Sequence, residues 1–341
     1  MSKQRITYIS VVFIVFSLLA VSLYVNREKE SVTFSRMQMG TIVQITAIEG
    51  NRANFENAAN KAFDEIDRLE AIFSSYKPDS DVSRISQSAG AEPVKVSPEV
   101  IEVLKAALKI SELSGGAFDP TVGSLGRVWG FSGEKGFVPT REEVAKILPL
   151  VNYKNIILDE ANSKAGLSKK GMVLNLGGVA KGYIVKNAIE VLKNNGVERG
   201  IVHAGGDMSV FQKDEKKPFV IGIQDPRKKG KLLGEAYVYN GAATTSGDYE
   251  RYFIKDNIRY HHILDPATGF PANRSRSATI VAEDPTLADA LSTAVFVMGV
   301  EKGMPLIESL DNVEGVIVDS EGRIYKSSGF KGKITPQSPP Q

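Results

Sequence analysis

Cysteine is absent from the 341 residues of this chain. That excludes disulfides, thiolate metal sites, iron–sulfur clusters, cysteine nucleophiles and lipid attachment through a cysteine. Histidine is scarce: His203, His261 and His262 are the whole complement, too few for a zinc centre built on several imidazoles. Oxygen ligands and a hard cation stay open. An excess of one charge is also missing. Lys and Arg total 42 against 40 Asp and Glu, a net charge of +2. A protein that works by neutralising duplex phosphates shows a basic excess or stripe, so nucleic acid is not an expected partner. No internal repeat occurs. With 42% hydrophobic and 24% charged residues, the composition is that of a folded globular protein, not of a disordered chain, a collagen or a polytopic membrane protein. The length suits two domains or one large one.

Lys3 and Arg5 precede an uncharged run at 6–25. Its length of about 20 residues suffices for a helix to cross the hydrocarbon core, whereas the apolar region of a cleaved signal peptide is about 7–15 residues. The expectation is a single-pass signal anchor at 6–25, with 1–5 as a cytoplasmic n-region by the positive-inside rule. A charged spacer follows at 26–32, then a folded domain at 33–331 outside the cytoplasm and a flexible Pro-rich tail at 332–341. Cleavage after Ser22, with Ala20 three positions before the cut, is the alternative.

Periodicity predicts a strand at 41–48 and a helix from Glu56 to Phe73, whose apolar stripe is Ala59, Phe63, Ile66, Leu69 and Phe73. Ser97 and Pro98 read as the cap and first residue of a second helix that stops before Gly115. Thr140 and Glu143 form a capping box. From residue 155 the chain turns strand-rich: NIILDE, MVLNL, GIVHA, FVIGI, EAYVY, RYHHIL, ATIVAED and GVIVD. Helices at 179–195 and 286–298 interrupt these strands. Helices early and strands late argue for an α+β fold rather than a doubly wound sheet.

Four segments are rich in Gly, Asp, Thr and Ser: GGAFDPTVG at 115–123, NLGGVAKGY at 175–183, ATTSGDY at 243–249 and HHILDPATG at 261–269. The second sits where a helix begins, so its backbone N–H groups can approach an anion. It is neither a Walker loop nor GxGxxG, and a tight turn for close packing is the alternative. Asp289 and Thr293 lie one turn apart on one helix face. Together they can ligate a cation such as Mg²⁺, or Thr286 and Asp289 can form a capping box. His261 and His262 should point to opposite faces of a strand, so one of them at most faces a given pocket. A histidine beside a phosphate site can serve as general base near neutral pH. Tyr76, in the loop after the first helix, is placed either to stack on an aromatic ring or to pack beneath the loop.

Taken together these segments resemble the ApbE family, the FAD-dependent FMN transferases of bacterial periplasms. The likeness runs in order over nearly the whole chain past the N-terminal run: MGT at 39–41, SxYKPDSDVSRI at 74–85, GAFDPTVG, LGGVAKGY, GGD at 205–207, TSGDYERYF, HHILDPATG and DALSTA. The resemblance implies an α+β fold of the T-fold-like kind, FAD as donor substrate and Mg²⁺ as cofactor. It implies transfer of FMN through a phosphodiester bond onto a threonine of an acceptor flavoprotein, with AMP released. Family acceptors include subunits of sodium-pumping NADH:quinone oxidoreductases and of Rnf complexes. The implied place is the bacterial inner membrane, with the catalytic domain on the periplasmic or extracytoplasmic side.

Carried over residue by residue, Asp289 and Thr293 resemble the metal ligands, joined by the Ala180 carbonyl and Ser292. Tyr76 is similar to the aromatic that stacks on FAD. Ala117, Phe118, Asp119, Gly177, Lys181, Tyr183, Ser246 and Ile263 resemble flavin-nucleotide contacts, and Met39 borders the same pocket. His262 matches the histidine of HxxDPxTG and is the candidate base, with His261 expected to tolerate substitution better. Many members carry Asp where Asn175 stands, and many are lipoproteins, which a cysteine-free chain cannot be. An Mg²⁺-dependent FAD pyrophosphatase giving FMN and AMP, or a non-catalytic flavin-binding protein, are the competing readings.

Overall fold

Eight strands cross one antiparallel sheet in chain order: β1 (Val32–Gln38), β2 (Thr41–Gly50), β3 (Val197–Ala204), β4 (Asp207–Gln212), β5 (Gly241–Gly247), β6 (Ser275–Ala282), β7 (Val313–Asp319) and β8 (Ile324–Lys326). This structure is a computed structural model that describes residues 31–131, 136–215 and 217–335. Every neighbouring pair is antiparallel. The sheet is a meander whose connections carry the rest of the molecule.

The connection from β2 to β3 holds α1 (Phe55–Phe73), α2 (Asp81–Gln87), α3 (Pro98–Leu113), α4 (Arg141–Ile147) and α5 (Ala180–Asn194). Between β6 and β7 come α6 (Pro285–Met298) and α7 (Val300–Glu308). The sequence dictates which face these helices bury. Along α1, Phe55, Ala59, Phe63, Ile66, Leu69 and Phe73 recur at three- and four-residue steps and are all buried. Its small Ala58 and Ala62 let α5 pack close.

Alternation along the strands divides the core in two. Ala242 and Ile317 face the helices, while their neighbours Ala243, Val316 and Val318 face the opposite layer. That layer is a three-stranded sheet of Phe219–Gln224, Leu232–Val238 and Gly332–Ile334. A third cluster gathers Leu125, Trp129, Val144 and Leu264 with Phe253 and Tyr260 of the hairpin Tyr252–Lys255/Ile258–His261.

The expected α+β mixture is what is observed, and the capping box at Thr140 and Glu143 is present in full. Other expectations are corrected. The segment 172–176 is not a strand. Met172, Leu174 and Leu176 are buried in alternation, but the Val173 and Leu174 N–H groups donate to the Ser124 and Ser86 hydroxyls and Asn175 donates to Pro120 O. Side chains and a loop carbonyl thus replace a ladder. Ser97 precedes its helix but makes no side-chain cap; its N–H donates to Asp81 Oδ2 at 2.6 Å. Helix α2 stands where a loop was expected, started by Ser80, whose hydroxyl accepts from Ser83 N–H. The folded domain is wider than 33–331, because β1 begins at Val32 and Gly332–Ile334 pairs with Gly234–Ala236 instead of lying in a loose tail. The anchor expected at 6–25 lies outside the described residues. Among the described residues no helix is long and apolar enough to cross a membrane.

Candidate active site

The N-terminus of α5 meets α6 at very short range, and the sequence sets that range. A Cβ on Gly182 would fall 2.2 Å from Pro285 O and 2.8 Å from Asp289 Cβ. With glycine there, the Gly182 N–H donates to Asp289 Oδ2 at 2.9 Å. The helix dipole favours a carboxylate at that end. One turn along α6, Thr293 Oγ1 lies 3.1 Å from Ser246 Oγ of β5, which also shares a hydrogen bond of 2.9 Å with Ser292 Oγ. The glycine loop closes this cluster from above: a Cβ on Gly178 would sit 3.2 Å from both Thr293 Oγ1 and the Phe118 ring. The structure therefore brings together Phe118, Gly178, Ser246, Asp289, Ser292 and Thr293 from four distant parts of the sequence.

Asp289 is 4% exposed. Burial raises its pKa well above the usual carboxylate range, the nearby Asp207 carboxylate adds to this, and Lys181 with the Gly182 N–H offsets only part. This is a buried carboxyl whose ionised form is short of compensating positive charge. One carboxylate and three hydroxyls form an oxygen-only donor set, the chemistry a hard divalent cation takes; Ala180 opens α5 next to Lys181. Among the described residues no group of three or more His, Cys, Asp or Glu could hold a metal, so a cation here must draw on hydroxyl and carbonyl oxygens. The residues fit such an ion. The capping-box alternative for Asp289 falls: the cap of α6 is Asp284, whose side chain accepts from Thr286 N–H.

Lys181 Nζ lies 2.8 Å from Asp207 Oδ2. Burial alone would lower its pKa, but Asp207, Asp289 and Glu250 together raise it, so the ammonium stays charged. Asp207 is 2% exposed and opens β4 after the Gly205–Gly206 turn. Sequence reasoning passed over it as a site residue; its only signal was the GGD motif.

The two adjacent histidines have different surroundings, but not by the expected strand alternation, because the strand ends at His261. His261 is buried; its Nε2–H donates to Ala272 O at 2.8 Å, Nδ1 accepts from Ile263 N–H, and its ring meets Phe296 edge-on. His262 lies just past the strand end and is open to solvent on one side. Its Nδ1–H donates to Arg251 O at 3.2 Å, which leaves Nε2 as the acceptor. Crowding by protein on the other sides, with the Arg251 and Lys181 cations, pushes its pKa down to about 4. Both imidazoles are neutral at pH 7.

Other sequence-expected residues stand as follows. Tyr76 is 86% exposed, so it does not pack beneath its loop and remains free to stack on a ring. Met39, at φ +52, and Gly40, at φ +68, form the two-residue turn between β1 and β2. Positive φ at both positions suits the right-handed strand twist, and the Met39 N–H donates to Glu70 Oε2. Ile263 is buried beside His262, and Ala117 packs partly against the main core. Three residues are committed to the scaffold. Asp119 accepts from Thr121 N–H, Thr121 Oγ1 and Tyr153 N–H. The Tyr183 hydroxyl donates to Glu102 at 2.7 Å. Gly177 N–H donates to Asn175 Oδ1, so Asn175 shapes the loop through its amide oxygen. A cavity of about 380 Å³ against α4, lined by Val144, Ala145, Leu148 and Phe270 with Arg141 and Thr268, gathers no carboxylate or histidine.

Comparison with known proteins agrees with this geometry. Residues 39–317 match the model of the ApbE family. The FAD:protein FMN transferase of Haemophilus influenzae is 31% identical over 324 residues, spanning 91% of this chain and 93% of its own. Among solved structures, the ApbE protein of Thermotoga maritima is 38% identical with a TM-score of 0.80, covering 88% of this chain and 97% of that one. The flavin transferase ApbE of Vibrio cholerae is 29% identical with a TM-score of 0.77 over 88% and 97%. A family match through nearly the whole described fold, beside a relative aligned over about nine-tenths of both chains, shows that this chain belongs to the ApbE family.

Proposed function

We propose that this protein is an FAD:protein FMN transferase that moves the FMN half of FAD onto a threonine hydroxyl of an acceptor flavoprotein. Family membership supports the transferase reading. The observation that carries the chemistry is the meeting of Asp289, Thr293, Ser292 and Ser246 with the Lys181 end of α5. FAD's pyrophosphate is a dianion, and this is where a helix N-terminus, a held ammonium and a cation-fitting oxygen cluster converge.

In the reaction the acceptor oxygen attacks the FMN phosphorus. A new P–O bond forms as the phosphoanhydride bond to AMP breaks, and AMP leaves with the bridging oxygen. The hydroxyl proton needs an acceptor, and His262, an exposed residue, has an unprotonated Nε2. Lys181 holds the anionic pyrophosphate, and Tyr76 offers an exposed ring for the isoalloxazine. Asp289, Thr293, Ser292 and the Ala180 carbonyl would hold Mg²⁺, which when bound neutralises charge on the phosphates. The uncharged run at 6–25 supports attachment to the inner membrane with the catalytic domain outside the cytoplasm. Sodium-pumping NADH:quinone oxidoreductase and Rnf subunits are the acceptor class the family suggests.

Incubation with FAD, Mg²⁺ and such an acceptor, followed by intact mass measurement, tests this. The expected result is an acceptor heavier by one FMN with AMP in solution. FMN and AMP both free, with the acceptor unchanged, would make the protein a pyrophosphatase.

A further inference from the structure

We infer that Asp207 is a positioning residue for the transfer, acting through Lys181 to aim its ammonium at the donor's pyrophosphate. The inference rests on the transferase reading. Three observations carry it. Asp207 is 2% exposed, while the Lys181 side chain is 30% exposed, so the carboxylate is sealed in the protein and the ammonium reaches the site. Lys181 Nζ lies 2.8 Å from Asp207 Oδ2, an ion pair and hydrogen bond that ties the ammonium to the carboxylate. A buried carboxylate needs a paired cation to offset its desolvation, and this one is placed on the first residue of β4, directly after a glycine turn. The scaffold thus holds one end of a flexible side chain with a fixed charge.

The physical effect is on geometry rather than on binding strength. Lysine is a point charge on a four-carbon stem with many rotamers. Tethered to Asp207, it keeps one rotamer before the nucleotide arrives, so its remaining N–H donors already point where charge builds up on the phosphoryl oxygens. In net charge, however, Asp207 repels an anionic nucleotide. Removing the charge while keeping the shape should therefore leave FAD binding intact or tighter and slow the transfer. A purely structural role predicts the opposite pairing: a weakened fold and weakened binding.

The test compares wild type, Asp207→Asn, Lys181→Gln and the double variant, using FAD, Mg²⁺ and an acceptor protein. FAD affinity is read by flavin fluorescence, integrity by thermal melting and transfer by acceptor mass. For Asp207→Asn the expected kcat falls about 10–100-fold, with the FAD dissociation constant raised by no more than about threefold. In the Lys181→Gln background Asp207→Asn should cost nothing further, because the two act as one unit. Full kcat in Asp207→Asn overturns the inference, as does loss of FAD binding at an unchanged melting temperature. Equal, additive losses in the double variant overturn it too, since Asp207 would then act by a route other than Lys181. If Asp207→Asn fails to fold, Asp207→Glu decides: kcat loss with intact FAD binding supports positioning, and unchanged kcat refutes it. A wild type that transfers no FMN would instead indict the transferase reading.

Discussion

His261 and His262 are neighbours in sequence, yet one belongs to the core and the other is open to solvent. His261 has both ring nitrogens satisfied and a ring wedged against Phe296. Its substitution by alanine should lower stability by about 1–3 kcal/mol, since Ala272 O loses a buried donor, while kcat changes little once the protein is folded. It is tolerant in chemistry but not in stability, which narrows the expectation drawn from the strand alone. Burial lowers its folded pKa below the unfolded value of 6.5. The stability it contributes is therefore full above that value and is lost as pH falls. His262→Ala should leave FAD affinity nearly unchanged and slow transfer by about 10²–10⁴-fold if the imidazole takes the acceptor proton. A free imidazole would place the acid limb of the rate profile near 6.5. With the pKa pushed down to about 4, the base form persists through neutrality. The limb belonging to His262 should then lie near 4 and be missing from the His262→Ala profile. A limb near 6.5 that disappears with His262 would show that the bound nucleotide restores the ordinary value.

Helix α6 separates a capping role from a site role within five residues. Asp284 caps it and also pairs with Lys186 at 2.9 Å, whereas Asp289 reaches across to Gly182. Asp284→Ala should cost about 0.5–2 kcal/mol and keep Mg²⁺-dependent transfer in the folded protein. Asp289→Asn keeps an oxygen for the Gly182 N–H and removes a poorly compensated buried charge, so its melting temperature should hold while Mg²⁺-dependent turnover is lost. Melting and activity measured side by side distinguish them, and full activity in Asp289→Asn would remove the metal assignment. Elements like α6 were legible because their signals are local: Pro285 at the first turn, apolar residues on nearly every face and Gly299 at φ +73 after the end. What was not legible depends on distant partners. Residues 172–176 alternate like a strand, but Ser86, Pro120 and Ser124 take the bonds a ladder would have made. Likewise the positions of Ser246 and Thr293 were readable singly, but their 3.1 Å contact joins β5 to α6. Asp207 escaped notice because nothing near it in sequence shows that Lys181 will lie against it.

At the scale of the whole molecule, the main sheet separates chemistry from support. The helix-covered face carries Lys181, Asp289 and Thr293, and the other face carries the three-stranded sheet closed by Gly332–Ile334. The order of the eight strands could not be read from the sequence, since the connection between β2 and β3 is long enough to permit several partners. Composition and periodicity fixed only the class. This separation makes the two ends of the domain testable. A protein begun at residue 31 keeps every pair of β1, from Val32 with Ala47 to Gln38 with Thr41, and should fold and bind FAD without residues 1–30. Ending the chain at 331 instead of 335 removes the three pairs of Gly332–Ile334 with Gly234–Ala236 and the bond from Thr335 N–H to Leu233 O. At about 0.5–1.5 kcal/mol for each hydrogen bond lost, the melting temperature should fall by several degrees. Phe330 stays in the second core, and the site lies across the sheet, so kcat below the transition should match that of the longer chain. Thermal melting and acceptor labelling of the two lengths check this. A shortened protein that melts normally but no longer transfers FMN would show that the outer sheet reaches the chemistry after all.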